Sequence, residues 1–358
     1  MSSVLSTKVL IISNFSSSLI EDLEKYNIVR AGTNKPEERQ KLIIEYLAKY
    51  YKIINPAIII TDQDIINAGH TEDYIKFLKN CYASFKTMPD PQYTNEDSYG
   101  LMPLNFCKIP YDSKKATLLD YKKMAYYAED TMSPIYENTY DICVACANNA
   151  FVCKFYLKDY NIVYLSNTMP SHHASASLYG GYCFINTTKI VESELTKMGE
   201  KVCIVDIDYH AGHGTQQMYY RQKDVLTISI HADPLHDYPS VIGYEDEVGE
   251  YGMNMNIIFE KGANWDSYKN SLLRATNRIA EFNPTVIIIN FGFDTYEKDT
   301  DASVNYGCGL KIDDYYKIGC EFKKLNKKYV VSQEGGYYIL DGPVIVHSLL
   351  RGLEDYKN

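Results

Sequence analysis

The chain has 358 residues, of which 46% are apolar, and its formal net charge is −10. An acidic chain is unlike most proteins whose main partner is nucleic acid. The sequence also lacks an apolar run of about 18 residues, the length that would indicate a membrane span. Nine irregularly spaced cysteines indicate reduced thiols, and no signal peptide precedes the first apolar run. We therefore expect a cytoplasmic protein with one domain over residues 1–358.

Short apolar segments alternate with helical patterns along the whole chain. Strands are predicted at 8–13, 57–61, 162–166, 203–206, 225–230, 286–290 and 329–332. Helices are predicted at 36–51, 72–80, 134–157, 265–281 and 313–324. This alternation is typical of an α/β fold in which helices flank a central, mainly parallel sheet. The proline-rich segment 88–107 is predicted to form a long loop, with an acidic rim or a dimer contact as its alternative roles.

Polar motifs follow the predicted strands. The stretch 203–215 begins as an apolar run and then brings two carboxylates and two imidazoles: Asp206, Asp208, His210 and His213. Other strands are followed by His172 and His173, by His231, by Asp294 and by Tyr337. Because the carboxyl ends of parallel strands meet at one edge of a sheet, we expect these side chains to lie together. Such a cluster is unfavourable when buried unless it is paired or binds a metal, so a metal site is predicted, with a plain polar cap as the alternative.

The residue types at this edge suit hydrolysis of an amide. Two carboxylates and one imidazole, from Asp208, His210 and Asp294, would leave a coordination position open on zinc. Bound zinc lowers the pKa of water and polarises a carbonyl group. A histidine pair beside it could accept the proton of the water and later protonate the leaving amine. A tyrosine after a Gly-Gly turn, Tyr337, could donate a hydrogen bond to the developing oxyanion.

Taken in order, these motifs resemble the histone deacetylase superfamily, which has an arginase-like fold, and most of all its acetylpolyamine amidohydrolases. The landmarks are the segments 70–78, 172–174, 180–186, 206–216, 229–234, 292–299 and 334–337. The resemblance implies a zinc-dependent amidohydrolase that removes acetyl groups from small acetylated amines such as acetylpolyamines. A deacetylase of protein acetyl-lysine is the alternative, and a non-catalytic binder of acetylated ligands is the alternative from another class.

The resemblance also implies a role for each site residue. The zinc ligands would be Asp208, His210 and Asp294. His173 would act as general base and then acid, and His172 would be its electrostatic partner, oriented by Asp206. Tyr337 would share the carbonyl oxygen with the metal, and Tyr182 with Gly181 would line the acyl channel. A monovalent cation, K⁺, would lie beside Asp206 and Ser229, and a homodimer through the long loop is expected.

Three positions depart from the family pattern. Ser171 replaces a glycine, Ala211 replaces a second histidine, and His213 replaces the Asp or Asn that accepts a hydrogen bond from His173. A neutral imidazole accepts through only one nitrogen and a protonated one through none, so we expect activity to fall steeply near pH 6, when His213 is protonated. No residue that reads the charge of a polyamine stands out, and the candidates are Asp120 and Asp301.

Overall fold

The computed structural model describes residues 6–14, 36–94, 100–107, 119–300 and 306–354. Its eight strands are β1 (Ser6–Ser13), β2 (Tyr51–Ile54), β3 (Ile162–Ser166), β4 (Val202–Asp206), β5 (Leu226–His231), β6 (Asn254–Ile258), β7 (Val286–Phe291) and β8 (Lys328–Gln333). They form one sheet in the order β2-β1-β3-β8-β7-β4-β5-β6, and every neighbouring pair is parallel. The predicted parallel α/β architecture is confirmed.

Ten helices connect these strands in the described part of the chain. They are α1 (Pro36–Leu47), α2 (Asp62–Ala68), α3 (Glu72–Thr87), α4 (Met124–Tyr127), α5 (Thr139–Val152), α6 (Thr187–Lys197), α7 (His213–Tyr219), α8 (Trp265–Phe282), α9 (Ile312–Lys323) and α10 (Gly342–Glu354). Short 3₁₀ turns occupy Pro91–Tyr93, Asp120–Lys123 and Cys153–Phe155. None of the helices that the structure describes is both long and apolar enough to cross a bilayer.

Helices cover both faces of the sheet, which is why its strands are continuous apolar runs. Every residue of β3, β4 and β7 is buried. Successive side chains of a strand point to opposite faces, and β1 shows this directly. Val9 and Ile11 pack into the core that α8, α9 and α10 cover, whereas Leu10 and Ile12 pack into the core under α3, α5 and α6. The two cores pack against opposite faces of the sheet, so the strand ends from which the carboxyl-edge loops start are held in place.

Three predicted elements are wrong. Residues 57–61 form no strand, because Ile58 and Ile59 are more than half exposed and the N–H groups of Ile59 and Ile60 donate to the Asn148 side chain. The predicted helix 36–51 ends at Leu47, and the chain then enters β2, which pairs with β1. The predicted helix 134–157 begins later, at Thr139, because residue 135 is held in an isolated bridge to residue 101.

Strand β6 was not predicted from the sequence. Its residues alternate polar and apolar as Asn-Met-Asn before two isoleucines, so the segment lacks the apolar run that marked the other strands. In the predicted loop 88–107, residue 94 pairs with residue 101, and residues 95–99 lie outside the described part of the chain.

Candidate active site

The site is built where β4 ends, near the middle of the sheet. Asp206 is the last residue of β4, and its direct neighbours are Asn290 on β7 and Ser229 on β5. Asp208 lies beyond the strand, and its backbone N–H donates to Asp206 Oδ1 over 3.0 Å. Asp206 and Asp208 are therefore not alternate residues of one strand. This turn places the Asp206 carboxylate 3.0 Å from His172 Nδ1 and the Asp208 carboxylate 3.8 Å from His172 Nε2.

Asp208, His210 and Asp294 converge on one point. Their ligand atoms all lie within 4.8 Å of one another, and His210 Nδ1 is 3.2 Å from Asp294 Oδ2. Backbone donors fix both carboxylates, since the N–H of Gly335 donates to Asp208 Oδ2 over 2.8 Å and that of Tyr209 to Asp294 Oδ1 over 2.9 Å. Each carboxylate is thus oriented before any ligand arrives.

The electrostatics of this group fit a divalent cation. Burial and the neighbouring Asp208 carboxylate raise the pKa of Asp294 to about 8. Burial alone would lower the pKa of His210, but its hydrogen bonds to both carboxylates hold that pKa well above its usual value. The Asp294 carboxyl group therefore retains a proton at neutral pH unless a cation compensates its charge. An ideal Cβ at Gly335 would lie 2.6 Å from Asp294 and 2.7 Å from Asp208, so only glycine lets the backbone close this cradle. Two carboxylates and one imidazole are a donor set for catalytic zinc.

His172 is buried and paired with a carboxylate. Its Nδ1 lies 3.0 Å from Asp206 Oδ2, and the Asn290 side chain also donates to that oxygen over 3.1 Å. Burial alone would lower the pKa of His172, but the charges of Asp208 and Asp206 outweigh it and raise the pKa to about 10. The structure brings His172 and Asp206 together, as the resemblance implies.

His173 packs against His172 with 3.9 Å between ring centroids and 37° between ring planes, but its surroundings are different. Its Nδ1 contacts His213 Nδ1 at 3.1 Å. Burial and the charge of the neighbouring His172 lower the pKa of His173 well below its usual value. On the other side of the ring, Gly181 has φ +53°, and an ideal Cβ there would overlap the His173 ring. This ring is therefore clamped as a neutral imidazole between a glycine and a second imidazole.

His213, at the start of α7, has a second partner that sequence reasoning missed. Its Nε2 lies 2.8 Å from Glu129 Oε2. Glu129 is 84 residues away in the chain and follows the short helix α4, so no local pattern marks it. Tyr238 was also missed as a wall of the site, and its ring meets the His173 ring edge to face at 4.9 Å.

A cavity beside the site is lined by Tyr182, Tyr337 and Arg39, among others. The Tyr182 and Tyr337 rings meet at 6.5 Å, so both predicted side chains reach the same space. Arg39 Nη1 donates to the carbonyl oxygens of Glu334 over 2.9 Å and Gly336 over 3.0 Å. Arg39 therefore fixes the turn that carries Tyr337. The sequence held no signal for this, because Arg39 sits in an ordinary helical segment.

The remaining predicted residues lie around this centre. Ser229 Oγ is 2.7 Å from His231 Nδ1, directly behind Asp206, and the monovalent-cation site there stays a prediction. The hydroxyl of Ser171 donates to Glu334 over 2.8 Å, which gives the unusual serine a structural partner. Asp120 pairs with Lys123 and is not among the described residues that line the cavity. Asp301 lies outside the described residues, as does part of the long loop.

Ala211, the third departure from the family pattern, is fully buried. An ideal Cβ at Gly243, where φ is +108°, would lie 2.8 Å from the Ala211 methyl group. The close approach of this glycine leaves little room for a larger side chain at position 211. The backbone carbonyl of Ala211 accepts a hydrogen bond from the N–H of His213 over 2.8 Å.

Comparisons with known proteins agree with this geometry. Residues 33–353 match the model of the histone deacetylase domain. The chain is 33% identical to acetylpolyamine amidohydrolase 1 of Pseudomonas aeruginosa over 237 residues, which are 65% of this chain and 67% of that protein. It is 29% identical to acetylpolyamine amidohydrolase 2 of the same organism over 294 residues, covering 81% and 82% of the two chains.

A solved structure shows the same fold. The crystal structure of acetylpolyamine aminohydrolase from Burkholderia pseudomallei superposes with a TM-score of 0.83 at 23% identity, covering 96% of this chain and 98% of that one. The domain match spans most of the chain, and the amidohydrolase relatives cover most of its length. The chain therefore belongs to the histone deacetylase domain family and is an enzyme of its deacetylase and amidohydrolase type.

Proposed function

We propose that the protein is a zinc-dependent amidohydrolase that removes the acetyl group from small acetylated amines. The observation that carries the proposal is the convergence of three ligand atoms within 4.8 Å, from Asp208, His210 and Asp294, beside a buried histidine pair. The acetylpolyamine amidohydrolases among its relatives favour this substrate class. The resemblance found in the sequence gives the same assignment.

Zinc held by these three side chains would supply a Lewis acid that polarises the amide carbonyl and makes a nearby water molecule more acidic. The rest of the mechanism belongs to the side chains around it. His173 is suited to be the general base, because its lowered pKa leaves the ring neutral and its Nδ1 is already occupied by His213. Its Nε2 is therefore the nitrogen that takes the proton of the attacking water.

The proton that His173 accepts from water is used again in the last step of the reaction. Once protonated, His173 donates it from Nε2 to the nitrogen of the leaving amine, and the C–N bond breaks as acetate forms. His172, positively charged between Asp206 and Asp208, stays a fixed cation beside these events. Tyr337, across the cavity, donates its hydroxyl proton in a hydrogen bond to the oxyanion that develops on the carbonyl oxygen.

Negative charge near the site favours a cationic amine as the substrate. The Asp130 carboxylate accepts hydrogen bonds from the N–H of Gly181 and the hydroxyl of Tyr238, two residues that enclose His173. The chain also carries a net charge of −10, which attracts polycations at low ionic strength. Free acetylated polyamines keep positive charges beyond the acetylated nitrogen, which suits an acidic protein.

The test is acetate release by the zinc-loaded protein from N-acetylputrescine, N-acetylspermidine and an acetyl-lysine peptide. We expect the free amines to have the higher kcat/KM, by at least tenfold. Preference for the peptide would instead make the protein an acetyl-lysine deacetylase. Tight binding of all three without turnover would make it a non-catalytic binder of acetylated ligands, and either result would contradict the proposal.

A further inference from the structure

Three side chains form a line that leads away from the reacting centre. His213 lies in the middle, with its Nδ1 3.1 Å from His173 Nδ1 and its Nε2 2.8 Å from Glu129 Oε2. The two imidazole rings are 4.9 Å apart and tilted by 31°. His173 and His213 are each less than 5% exposed, so water does not compete for these nitrogens.

The proton positions follow from what each group can do. A carboxylate only accepts hydrogen bonds, so the Nε2 of His213 carries a proton towards Glu129. A neutral His213 then has a lone pair on Nδ1, and the Nδ1 of His173 has to donate to it. The second nitrogen of His173, Nε2, is left with its lone pair free. Gly181 lies on that side of the ring, since its ideal Cβ would be 2.9 Å from His173 Nε2.

The position of Glu129 supports this placement of the protons on His213 and His173. Its N–H donates to the carbonyl of Tyr179 over 2.9 Å, in the pairing that residue 128 forms with residue 179. The side chain of Glu129 is 16% exposed, and no cation is paired with it in the described part of the chain. The other groups that face His213 are His173 and the ring of Tyr238, whose hydroxyl donates to Asp130.

We propose that Glu129 is a positioning residue that acts through His213 to keep the proton of His173 on Nδ1 and its Nε2 free as a base. This inference rests on the proposed amide hydrolysis. When His173 accepts a proton from water at Nε2, both of its nitrogens are protonated, and Nδ1 still donates to His213. No further proton has to move, and the accepted proton leaves with the amine.

The arrangement also explains how a histidine can stand where relatives are expected to carry Asp or Asn. An imidazole anchored by a carboxylate offers one lone pair in a fixed direction, which is what His173 needs. A proton added to His213 reverses the direction of its hydrogen bond with His173. The Nδ1 of His213 then donates to the Nδ1 of His173, and the proton of His173 has to move to Nε2. The free lone pair on His173 Nε2 is then lost, and with it the base.

The test combines kinetics with a direct view of the protons. In Glu129→Leu the acceptor is removed, and we expect kcat to fall by about 10–100-fold with little change in KM, as is typical when an outer partner of a catalytic group is lost. Glu129→Gln keeps an acceptor oxygen but no charge, so it recovers most of the kcat.

The matched background is His213→Asn, whose side chain accepts from His173 without needing Glu129. We expect Glu129→Leu to reduce kcat by less than about twofold there, which is the non-additivity of residues that act in series. An equal loss of kcat in both backgrounds would overturn the proposal, because it would mean that Glu129 acts on its own.

NMR of protein labelled with ¹⁵N-histidine gives a readout that needs no activity. We expect the Nε2–H form of His213 and the Nδ1–H form of His173 in the wild type, and loss of this order in Glu129→Leu. Asp130→Asn removes a neighbouring charge without touching His213, so it should leave both forms unchanged. The opposite forms in the wild type would overturn the inference. If the wild type released no acetate, the proposed function would fail, while the NMR result would still decide the proton order.

Discussion

His172 and His173 are adjacent in sequence and their rings are in contact, yet their surroundings shift their pKa values in opposite directions. His172 contacts the Asp206 carboxylate directly at 3.0 Å, and its pKa is raised to about 10. His173 Nδ1 contacts another imidazole instead, and the pKa of His173 is well below its usual value. The carboxylate on the far side of that imidazole is Glu129, which contacts His213 and not His173.

The difference shows how one fold makes a cation and a base from two identical side chains. A carboxylate in direct contact stabilises the charged ring, whereas a neutral acceptor fixes only the direction of the proton. The charged His172 ring also disfavours a second charge 3.9 Å away, which keeps His173 neutral. The two roles therefore depend on each other as well as on their partners.

The largest expected effect comes from removing the base itself. In His173→Gln we expect kcat to fall by about 10²–10⁴-fold, since no other described group is placed to accept the proton of water. His172→Gln keeps a base and should lose less activity. Steady-state kinetics of both variants, with thermal melts to confirm folding, measure this. Equal losses would contradict the assignment of different roles.

Tyr337→Phe separates the oxyanion contact from the two imidazoles. We expect kcat to fall by about 10²–10³-fold, the usual effect of losing one oxyanion donor. Zinc content and the acid limb of the pH profile should stay unchanged, because the hydroxyl belongs to neither ring. Turnover at the wild-type rate would remove Tyr337 from the mechanism.

Gly181→Ala sharpens the comparison by moving only the His173 ring. Gly181 (φ +53°) and Gly199 (φ +86°) both need the left-handed region, so alanine at either position costs about 1 kcal/mol of backbone strain. Nothing lies within 4 Å of an ideal Cβ at Gly199, whereas at Gly181 the new methyl group overlaps His173. We expect similar melting temperatures for the two variants, but at least tenfold lower kcat for Gly181→Ala only. Full activity in that variant would show that the ring position is not critical.

The smallest effect concerns another buried histidine, which has no carboxylate partner among the residues that the structure describes. His70 accepts the N–H of Asn186 at Nε2, and burial lowers its pKa to about 4. The unfolded chain takes up a proton below pH 6.5 while the folded protein does not, so stability is full above that pH and decreases towards pH 4. The difference between the ordinary histidine pKa of 6.5 and the lowered pKa of His70 corresponds to a loss of about 3 kcal/mol of folding free energy at low pH.

Urea unfolding at pH 7 and pH 5 measures this loss. The free energy of unfolding should fall between these values by about 2 kcal/mol more in the wild type than in His70→Gln. The exposed His236 gives the control, because His236→Gln should keep the wild-type pH dependence. The same dependence in all three proteins would show that burial of His70 is not acid-sensitive.

Much of the fold was predictable because its strands are buried on both faces. Strands β3, β4, β7 and β8 each contain an apolar run, and each is followed by a polar motif, so the sheet and its functional edge could both be predicted from the order of residues. The edge strands β2 and β6 were missed, because partial exposure mixes polar residues into them.

The residues of the site also include some that the sequence predicted and some that it could not. Asp208, His210 and Asp294 were predicted because each stands in a local motif after a strand, and the structure brings them together. Glu129 and Arg39 could not be predicted, since each reaches the site from a segment without a motif. Their contacts depend on tertiary packing that joins residues 84 and 295 positions apart.

The central claim is that Asp208, His210 and Asp294 hold the metal on which deacetylation depends. The most direct measurement is zinc content and acetate release, determined together on wild type and Asp294→Ala. We predict one zinc ion per chain and release of acetate from N-acetylputrescine for the wild type, and loss of both in the variant. A variant that kept its zinc and its activity would contradict the account.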